Sequence, residues 1–465
     1  MYKLEFTLKQ HTPIIHFQHD QDGATLRATE VKPKLDRFII EKYGMVTFKQ
    51  ADGKNKLIPK EEFKHLFIGE GKKHLALDYK LNLNSNSVKV ISYNISKDNP
   101  IPTYFGSLSK DDIKSLNFID ENFLNEIITK NESIYKKLKE CLSEFFVLNN
   151  FGTRQSKGFG AFAIIPTEEI IETKFNDKFR YSFNLYDLEE DWLNKSIQIF
   201  KNIDWFYRSL RSGLNVKDNK DSLYFKSALF MYLNNRTPQI QWDKKTIKVL
   251  NFKNSDLSIQ DFDKKNKVWK PATTIKFITS QNKQHNYPDI LDQPITQNGN
   301  LHLKNYRDLF GLSTKETWYS YRAELTKKQA KINASNRWEP VEEKNADVTR
   351  YKSPLIFKPI LNNDGSVTVY CDYHPRGDED ILFKYNFILG VKYEGNPYKI
   401  KPPISHLSKE ELVLPFANDF DFDKFFTYSF KNINPSTHIV GGGGKQAEIK
   451  KSLIDIYSQL KEQVK

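Results

Sequence analysis

The sequence predicts an α+β fold, and three observations within residues 1–165 carry that prediction. Apolar and polar residues alternate in YKLEFTLK, which is typical of a half-buried strand. In ESIYKKLKECLSEFFVLNN the apolar residues recur at helical spacing, which predicts an amphipathic helix. A glycine-rich loop, NNFGTRQSKGFG, then leads into a further strand-like run. Strand and helix signals therefore alternate along this part of the chain.

The order of these elements defines the first domain. The strand in residues 2–8 precedes ATEVKPKLDRFIIEKYG, a helical pattern that ends at Gly44. SVKVISYNI predicts another strand, the second helix comes next, and FGAFAIIP predicts a last strand that Pro166 stops. Strand, helix, strands, helix, loop and strand is the order of a ferredoxin-like domain, in which two helices cover one face of a four-stranded antiparallel sheet.

The second half of the chain predicts a second domain. FRYSFNLYD favours a strand, and the helix after it has an apolar stripe from Trp192 to Phe206 and a stop signal at Gly213. SPLIFKPILNNDGSVTVYCDY predicts a hairpin around its NDG turn, and we expect this hairpin to supply the middle strands of the domain. Residues 215–350 show no repeat, and we interpret them as an insertion of helices and irregular loops.

The C-terminal segment combines a glycine run with a helix. Residues 441–444 are all glycine, which predicts a flexible hinge. The following amphipathic helix has an apolar face formed by Ile449, Leu453, Ile456, Leu460 and Val464. The predicted divisions are therefore residues 1–175, residues 176–440 and residues 441–465.

Composition narrows the classes of function. The 71 lysines and arginines exceed the 58 acidic residues, which gives a net charge of +13 and favours a polyanionic partner. The two cysteines, Cys141 and Cys371, lie far apart, which excludes a disulfide framework and a thiolate zinc site within the chain. The N-terminus lacks a signal-peptide pattern and no apolar stretch is long enough to span a membrane, so we expect a cytoplasmic protein.

The glycine-rich loop has two interpretations. Glycines let a phosphate backbone approach the main chain, consecutive N–H groups can turn toward anionic oxygens, and Arg154 and Lys157 add charge-assisted contacts. The loop could therefore clamp a polynucleotide. Alternatively, its glycines merely turn the chain and its cations are solvated.

Two sequence blocks resemble the RAMP superfamily, the repeat-associated proteins of CRISPR RNA-guided effector complexes. FGTRQSKGFGAF is similar to the glycine-rich loop of that family. FTLKQHTPIIHFQHDQDGATLRATEVKPKLDRFI is similar to its N-terminal block, in which a strand leads to a Thr-Pro pair and then to a basic run that opens the first helix. Later stretches, LRSGLN and YFKSALFMYL, faintly resemble the two-domain subunit of type III (Cmr-like) effectors.

The resemblance implies tandem ferredoxin-like (RRM-type) domains that hold guide RNA by its backbone as a noncatalytic effector subunit. It implies guide RNA, target RNA and other CRISPR effector subunits as partners. The expected groove joins cations of the first helix to the loop. The residues expected to bind RNA are Arg27, Lys32, Lys34, Arg37, Gly152, Arg154, Lys157, Gly158 and Gly160.

An endoribonuclease on the same core is the alternative. His16, His19, Asp20 and Asp22 share one loop, and such side chains can bind a metal or perform general acid–base cleavage of RNA. Their spacing matches no defined metal site, so no metal ligand is predicted. A third alternative is an RNA-binding module unrelated to CRISPR.

No cofactor is expected from the sequence. The run GGGGK suggests a nucleotide-binding loop, but that motif would need glycine at residue 439 and Ser or Thr at residue 446. The chain has Ile439 and Gln446.

Overall fold

The computed structural model is a mixed α+β fold with antiparallel sheets. It describes residues 1–15, 25–49, 55–68, 76–84, 90–94, 115–217, 222–236, 260–263, 268–271, 296–297, 300–301, 306–312, 315–318, 323–332, 338–341, 353–374, 386–393, 413–415 and 420–464. Two compact units form, one from residues 1–204 with 356–372, the other from residues 205–355 with 373–465. The sequence-based division near residue 175 stays a prediction.

Among its described residues, the first part of the chain carries nine strands and three helices. The strands are β1 (Tyr2–Gln10), β2 (Met45–Lys49), β3 (Asn55–Pro59), β4 (Lys80–Asn82), β5 (Val90–Asn94), β6 (Ser115–Ile119), β7 (Phe123–Thr129), β8 (Phe162–Ile164) and β9 (Tyr181–Leu185) among the described residues. The helices there are α1 (Ala28–Ile39), α2 (Glu132–Leu148) and α3 (Trp192–Arg211).

The rest of the described chain is rich in strands. These strands are β10 (Leu214–Lys217), β11 (Ser222–Phe225), β12 (Gln260–Asp263), β13 (Val268–Pro271), β14 (Thr296–Gln297), β15 (Asn300–Leu301), β16 (Lys315–Trp318), β17 (Ala323–Ile332), β18 (Trp338–Pro340), β19 (Leu355–Leu361), β20 (Val367–Tyr373), β21 (Asn386–Tyr393), β22 (Val413–Pro415) and β23 (Ile439–Gly441). The helices are α4 (Ala228–Asn234), α5 (Phe422–Asn432), α6 (Pro435–His438) and α7 (Ala447–Gln463).

The first unit contains a four-stranded sheet in the order β4-β7-β1-β8. The β1 residues Leu4, Phe6 and Leu8 point to the same face and are buried, as the alternating sequence predicts. They pack in one core cluster with apolar residues of α1 and α2, which include Leu35 and Leu138. Both helices therefore cover one face of this sheet. SVKVISYNI gives β5, which pairs with β6 rather than joining this sheet, because β4 occupies the edge beside β7.

The same unit contains a three-stranded sheet in the order β19-β20-β9. The predicted hairpin is confirmed as β19 and β20, with Gly365 at φ +84° in the turn. Of the two strands expected in the middle of the sheet, only β20 is central, because it also pairs with β9 from Val367 opposite Leu185 to Cys371 opposite Tyr181. Strand β19 lies at the edge.

The second unit corrects the expected insertion of helices and loops. Its described residues between 215 and 350 include the helix α4 but are mostly strands, among them β16 and the ten-residue β17, which pair in a sheet with β21 and β22. The strand signal of β17 is weak because the buried face of AELTKKQAKI carries Lys327 and Gln329, which are 2% and 7% exposed. Because polar residues occupy both faces of this part of the strand, its sequence lacks the alternation of apolar and polar residues that predicts a strand.

The C-terminal helix is confirmed as α7, with Ile449, Leu453, Ile456 and Leu460 buried, whereas Val464 is the half-buried C-cap residue after the helix. The glycine run before it does not form the expected flexible hinge throughout. Gly441 is the last residue of β23 and pairs with Leu223 of β11, and the N–H of Gly442 donates to the carbonyl oxygen of Ser222 at 2.9 Å. Across the described residues, no helix is long and apolar enough to cross a lipid bilayer.

Candidate nucleic-acid interface

The glycine loop, defined here as residues 149–161, connects α2 to β8 in the first unit. Helix α2 begins at the N-cap residue Asn131, whose side chain accepts hydrogen bonds from two main-chain N–H groups of the first turn. The helix ends where the main chain turns extended at Asn149, φ −118° and ψ 138°. A well-capped helix thus fixes one end of the loop, and pairing of β8 with β1 fixes the other.

Two glycines of the loop are required by close approach of the protein's own main chain. Gly152 has φ +76°, and a Cβ there would lie 2.5 Å from the carbonyl oxygen of Ile15. Gly160 has φ +64°, and a Cβ there would collide with the carbonyl group of Phe151. A side chain at either position would also be strained by the positive φ. These glycines shape the loop, and protein atoms fill the space beside them.

Several main-chain donors of the loop are engaged within the protein. The N–H of Gly152 donates to Oε1 of Glu30 at 2.7 Å, and that of Thr153 to the carbonyl oxygen of Ile15 at 2.8 Å. The N–H of Gly160 donates to the carbonyl oxygen of Pro13 at 2.9 Å. These three donors therefore maintain the loop rather than point to an external anion.

The Thr-Pro pair lies directly against the glycine loop. The Thr12 hydroxyl donates to the carbonyl oxygen of Gly158 at 2.6 Å and accepts from the N–H of Ala161 at 3.0 Å. Thr12 is fully buried, so both bonds lie in a medium where an unsatisfied polar group is costly. The two sequence blocks that resemble the RAMP family therefore form one structural unit, although Thr12 and Gly158 lie 146 residues apart along the chain.

The loop cations lie beneath its surface. Arg154 is one of two non-glycine residues with positive φ among the described residues, at +57°, and its three guanidinium nitrogens are out of contact with solvent. Lys157 is 4% exposed, and its Nζ lies 6.0 Å from the centroid of the Phe357 ring. In this conformation neither charged group faces solvent.

The predicted cation row on α1 divides into two environments. Lys34 Nζ bonds Oε1 of Glu30 at 2.9 Å and lies 4.9 Å from the centroid of the Phe151 ring, which places it beside the glycine loop. Lys32 Nζ instead bonds Oδ2 of Asp36 at 2.8 Å and lies 4.1 Å from the centroid of the Tyr79 ring. Only Lys34 of this pair contacts the loop.

Two further cations of α1, one at each end of the helix, keep contact with solvent. Arg27 is the half-buried N-cap residue of α1, and Arg37, in the last turn of that helix, is exposed. Together with Lys34, they give α1 a cationic side that is open to water.

Sequence reasoning missed residues that hold the loop in place. Glu30 accepts from both Gly152 and Lys34, and its spacing four residues before Lys34 is a signal that could have been noticed. Lys358 Nζ donates to the carbonyl oxygens of Phe146, Asn149 and Phe162 at 2.7, 2.8 and 2.8 Å. Burial lowers the pKa of Lys358 well below its ordinary value, while three acceptors match the three N–H bonds of its ammonium form.

His11 is a further buried titratable group of the first unit. Its Nδ1 accepts a hydrogen bond from the N–H of Leu361 at 3.0 Å, so that nitrogen carries no proton. Burial, followed by the charges of Lys358 and Lys9, lowers the pKa of His11 to about 3. The imidazole is therefore neutral at physiological pH and acts as a fixed acceptor.

The candidate catalytic residues of the sequence analysis form one short stretch of the chain. His16, His19, Asp20 and Asp22 lie outside the described residues. Among the residues that the structure does describe, no group of three or more His, Cys, Asp or Glu side chains is arranged to hold a metal ion.

Two family models match the chain. A model of the Cmr1 N-terminal domain matches residues 1–214, and a model of the Cmr1 C-terminal domain matches residues 224–451. The protein is thus a RAMP protein of the Cmr-like CRISPR class. Because the two matches together span most of the chain, it belongs to the Cmr1 family.

A structural comparison finds similarity to the crystal structure of Cmr1 from Pyrococcus furiosus in its apo form. The two sequences are 11% identical, the match covers 48% of this chain and 83% of that chain, and the TM-score is 0.27. Comparison with curated proteins gives no significant match.

Proposed function

We propose that this protein is a noncatalytic subunit of a type III CRISPR effector complex that holds guide RNA by its phosphate backbone. Membership of the Cmr1 family supports the place in an effector complex. The observation that carries the RNA-binding part is the direct bonding of Thr12 to both ends of the segment from Gly158 to Ala161. It joins the two RAMP-like blocks into one preorganised surface.

The proposed RNA surface combines exposed and buried charge. Arg27, Lys34 and Arg37 on α1 retain contact with solvent and would bind phosphates directly. Arg154 and Lys157 lie beneath the loop, where low dielectric strengthens their attraction for an anion above it. Gly152, Gly158 and Gly160 shape the loop, and Lys32 adds a cation that is partly neutralised by Asp36. The net charge of +13 favours the same partner.

We extend the proposal to a tandem of ferredoxin-like domains. The order β4-β7-β1-β8, with α1 after β1 and α2 after β7, is the ferredoxin-like order. The sheet β19-β20-β9 repeats the first three positions of that order, and α3 follows β9, whereas β21 and β22 separate β20 from the next described helix, α5. In this proposal residues 1–175 form the RNA-binding domain, and residues 176–440 form a second RAMP-like domain with an insertion at 215–350.

Purification with bound RNA tests this function. The chain would be expressed with its genomic neighbours and purified through a tag on this subunit, and the RNA that accompanies it would be sequenced. We expect short RNAs of uniform length that carry repeat-derived ends, together with other effector subunits. Heterogeneous RNA, or no RNA, would contradict a guide-holding role. The same preparation, incubated with labelled RNA, should leave it intact, and cleavage that is lost on changing His16, His19, Asp20 and Asp22 to Ala would favour the endoribonuclease instead.

A further inference from the structure

Strand β19 braces the glycine loop, although the two segments lie about 200 residues apart in the sequence. Lys358 Nζ bonds the carbonyl oxygens of Phe146 and Asn149, where α2 ends and the loop begins, and that of Phe162, where β8 begins. All these residues belong to the first unit. One ammonium group therefore holds the entry and the exit of the loop together.

Neighbouring residues of β19 contact the interior of the loop. Asn150 Nδ2 donates to the carbonyl oxygen of Phe357 at 2.8 Å and, across the loop, to that of Gln155 at 2.6 Å. On the other side of Lys358, the ring of Pro359 lies against Gly158, where a Cβ would come within 2.9 Å of its Cγ. Residues 357, 358 and 359 thus each engage the loop.

The placement of Lys358 is costly and needs a compensating arrangement. A fully buried ammonium loses its hydration, which costs several kcal/mol even after relaxation. Three carbonyl acceptors at 2.7–2.8 Å offset this loss, and two of them belong to the C-terminal end of α2, where the helix dipole favours a cation. An apolar side chain could fill the volume, but it could not bond the three carbonyls. The arrangement fixes main-chain geometry in addition to filling space.

We propose that Lys358 is a positioning residue for RNA binding, which acts by closing the base of the glycine loop so that the loop and α1 present one phosphate-binding surface. This inference rests on the proposed function for its RNA part. Its structural part, that Lys358 maintains the loop conformation, can be tested without RNA.

The test compares Lys358→Met with a control that damages the same unit elsewhere. Leu138→Ala removes buried volume from α2 in the core, away from the loop, and should lower thermal stability substantially. Binding of a fluorescently labelled single-stranded RNA would be measured for the full chain well below the unfolding transition of both variants. We expect Lys358→Met to weaken affinity by about tenfold or more, and Leu138→Ala to leave it within about twofold of the unaltered protein. Equal affinities of Lys358→Met and the unaltered protein would overturn the positioning role in RNA binding.

Hydrogen exchange separates this inference from the proposed function. In Lys358→Met, the amide protons of Thr153, Gly158 and Gly160 should exchange faster, whereas in Leu138→Ala their protection relative to β1 should be retained. Faster exchange in a protein that binds no RNA would refute the proposed function but support the role of Lys358 in maintaining the loop conformation. Unchanged exchange would refute the role of Lys358 in maintaining the loop conformation. If Lys358→Met does not fold, Asn150→Ala, which removes the bonds to Phe357 and Gln155, should give the same pattern with a smaller change.

Discussion

Lys358 in the first unit and Lys327 in the second are both buried, and they are compensated in different ways. Lys358 in the first unit donates to three main-chain carbonyl oxygens. Lys327 in the second unit forms an ion pair with Asp308, a fully buried carboxylate that also pairs with Arg211 at 3.1 Å. The first arrangement fixes the path of the chain through peptide groups, which no substitution can remove. The second depends on side chains, which substitutions can exchange.

The largest expected effect concerns the ion pair of the second unit. Asp308→Ala leaves buried cationic groups without their carboxylate and should cost about 3–5 kcal/mol of unfolding free energy. Urea titration followed by circular dichroism would measure the loss. In the double variant Asp308→Leu with Lys327→Met, much of the stability should return, because an apolar pair can replace a buried ion pair. If Asp308→Ala lowers the unfolding free energy by less than about 1 kcal/mol, the ion pair is exposed to solvent.

Lys358→Met should cost less, about 2–3 kcal/mol, since it leaves buried acceptors unsatisfied but also removes a buried charge. The same urea titration applies. Unlike the ion pair, this site has no second substitution that restores stability, because its partners are carbonyl groups of the main chain. If an apolar residue of the same volume at position 358 gave the stability of the unaltered protein, Lys358 would contribute only packing.

Acid sensitivity of the first unit should depend on His11. Its pKa is lowered in the folded protein to about 3, so the unfolded chain binds a proton as pH falls below about 6.5 while the folded protein does not. The neutral histidine thus contributes full stability above that pH, and the contribution is lost as pH falls toward 3, by up to about 1.4 kcal/mol per pH unit. At pH 5 this loss amounts to about 2 kcal/mol.

His11→Asn should remove that part of the pH dependence, since an amide oxygen can still accept from Leu361 but does not titrate in this range. Thermal midpoints of both proteins between pH 7 and pH 4 measure the difference in slope. Parallel curves would mean that the histidine is protonated in the folded protein as readily as in the unfolded chain.

The smallest effect on stability is expected at Arg154, where it should have the opposite sign. Its φ of +57° is unfavourable for a residue with a Cβ, so Arg154→Gly should stabilise the protein by about 1 kcal/mol, whereas Arg154→Ala keeps the strain. Both variants remove a cation. If Arg154 attracts a phosphate, each should weaken RNA binding and reduce the log–log salt slope by roughly 0.7. An unchanged slope in both would remove Arg154 from the RNA surface.

The local elements of the fold could be predicted because their signals lie within a few turns of chain. The apolar stripes of α2, α3 and α7 and the turn at Gly365 are such signals, and the structure confirms all of them. Strand β17 escaped prediction because Lys327 and Gln329 occupy its buried face. Asp308 compensates the burial of Lys327, but it comes from a different segment, so the sequence of β17 does not reveal the ion pair.

The candidate site likewise combines features that the sequence predicts with contacts that form only when the chain folds. By itself, the sequence determined the glycine loop, the Thr-Pro pair and the cations of α1, since each is a short run of residue types. Tertiary structure alone decided that Thr12 bonds the loop, that Lys157 is buried and that Lys358 closes the loop from about 200 residues away. The physical reason is that a buried polar group is stable only with partners, and those partners come from segments that meet only when the chain folds.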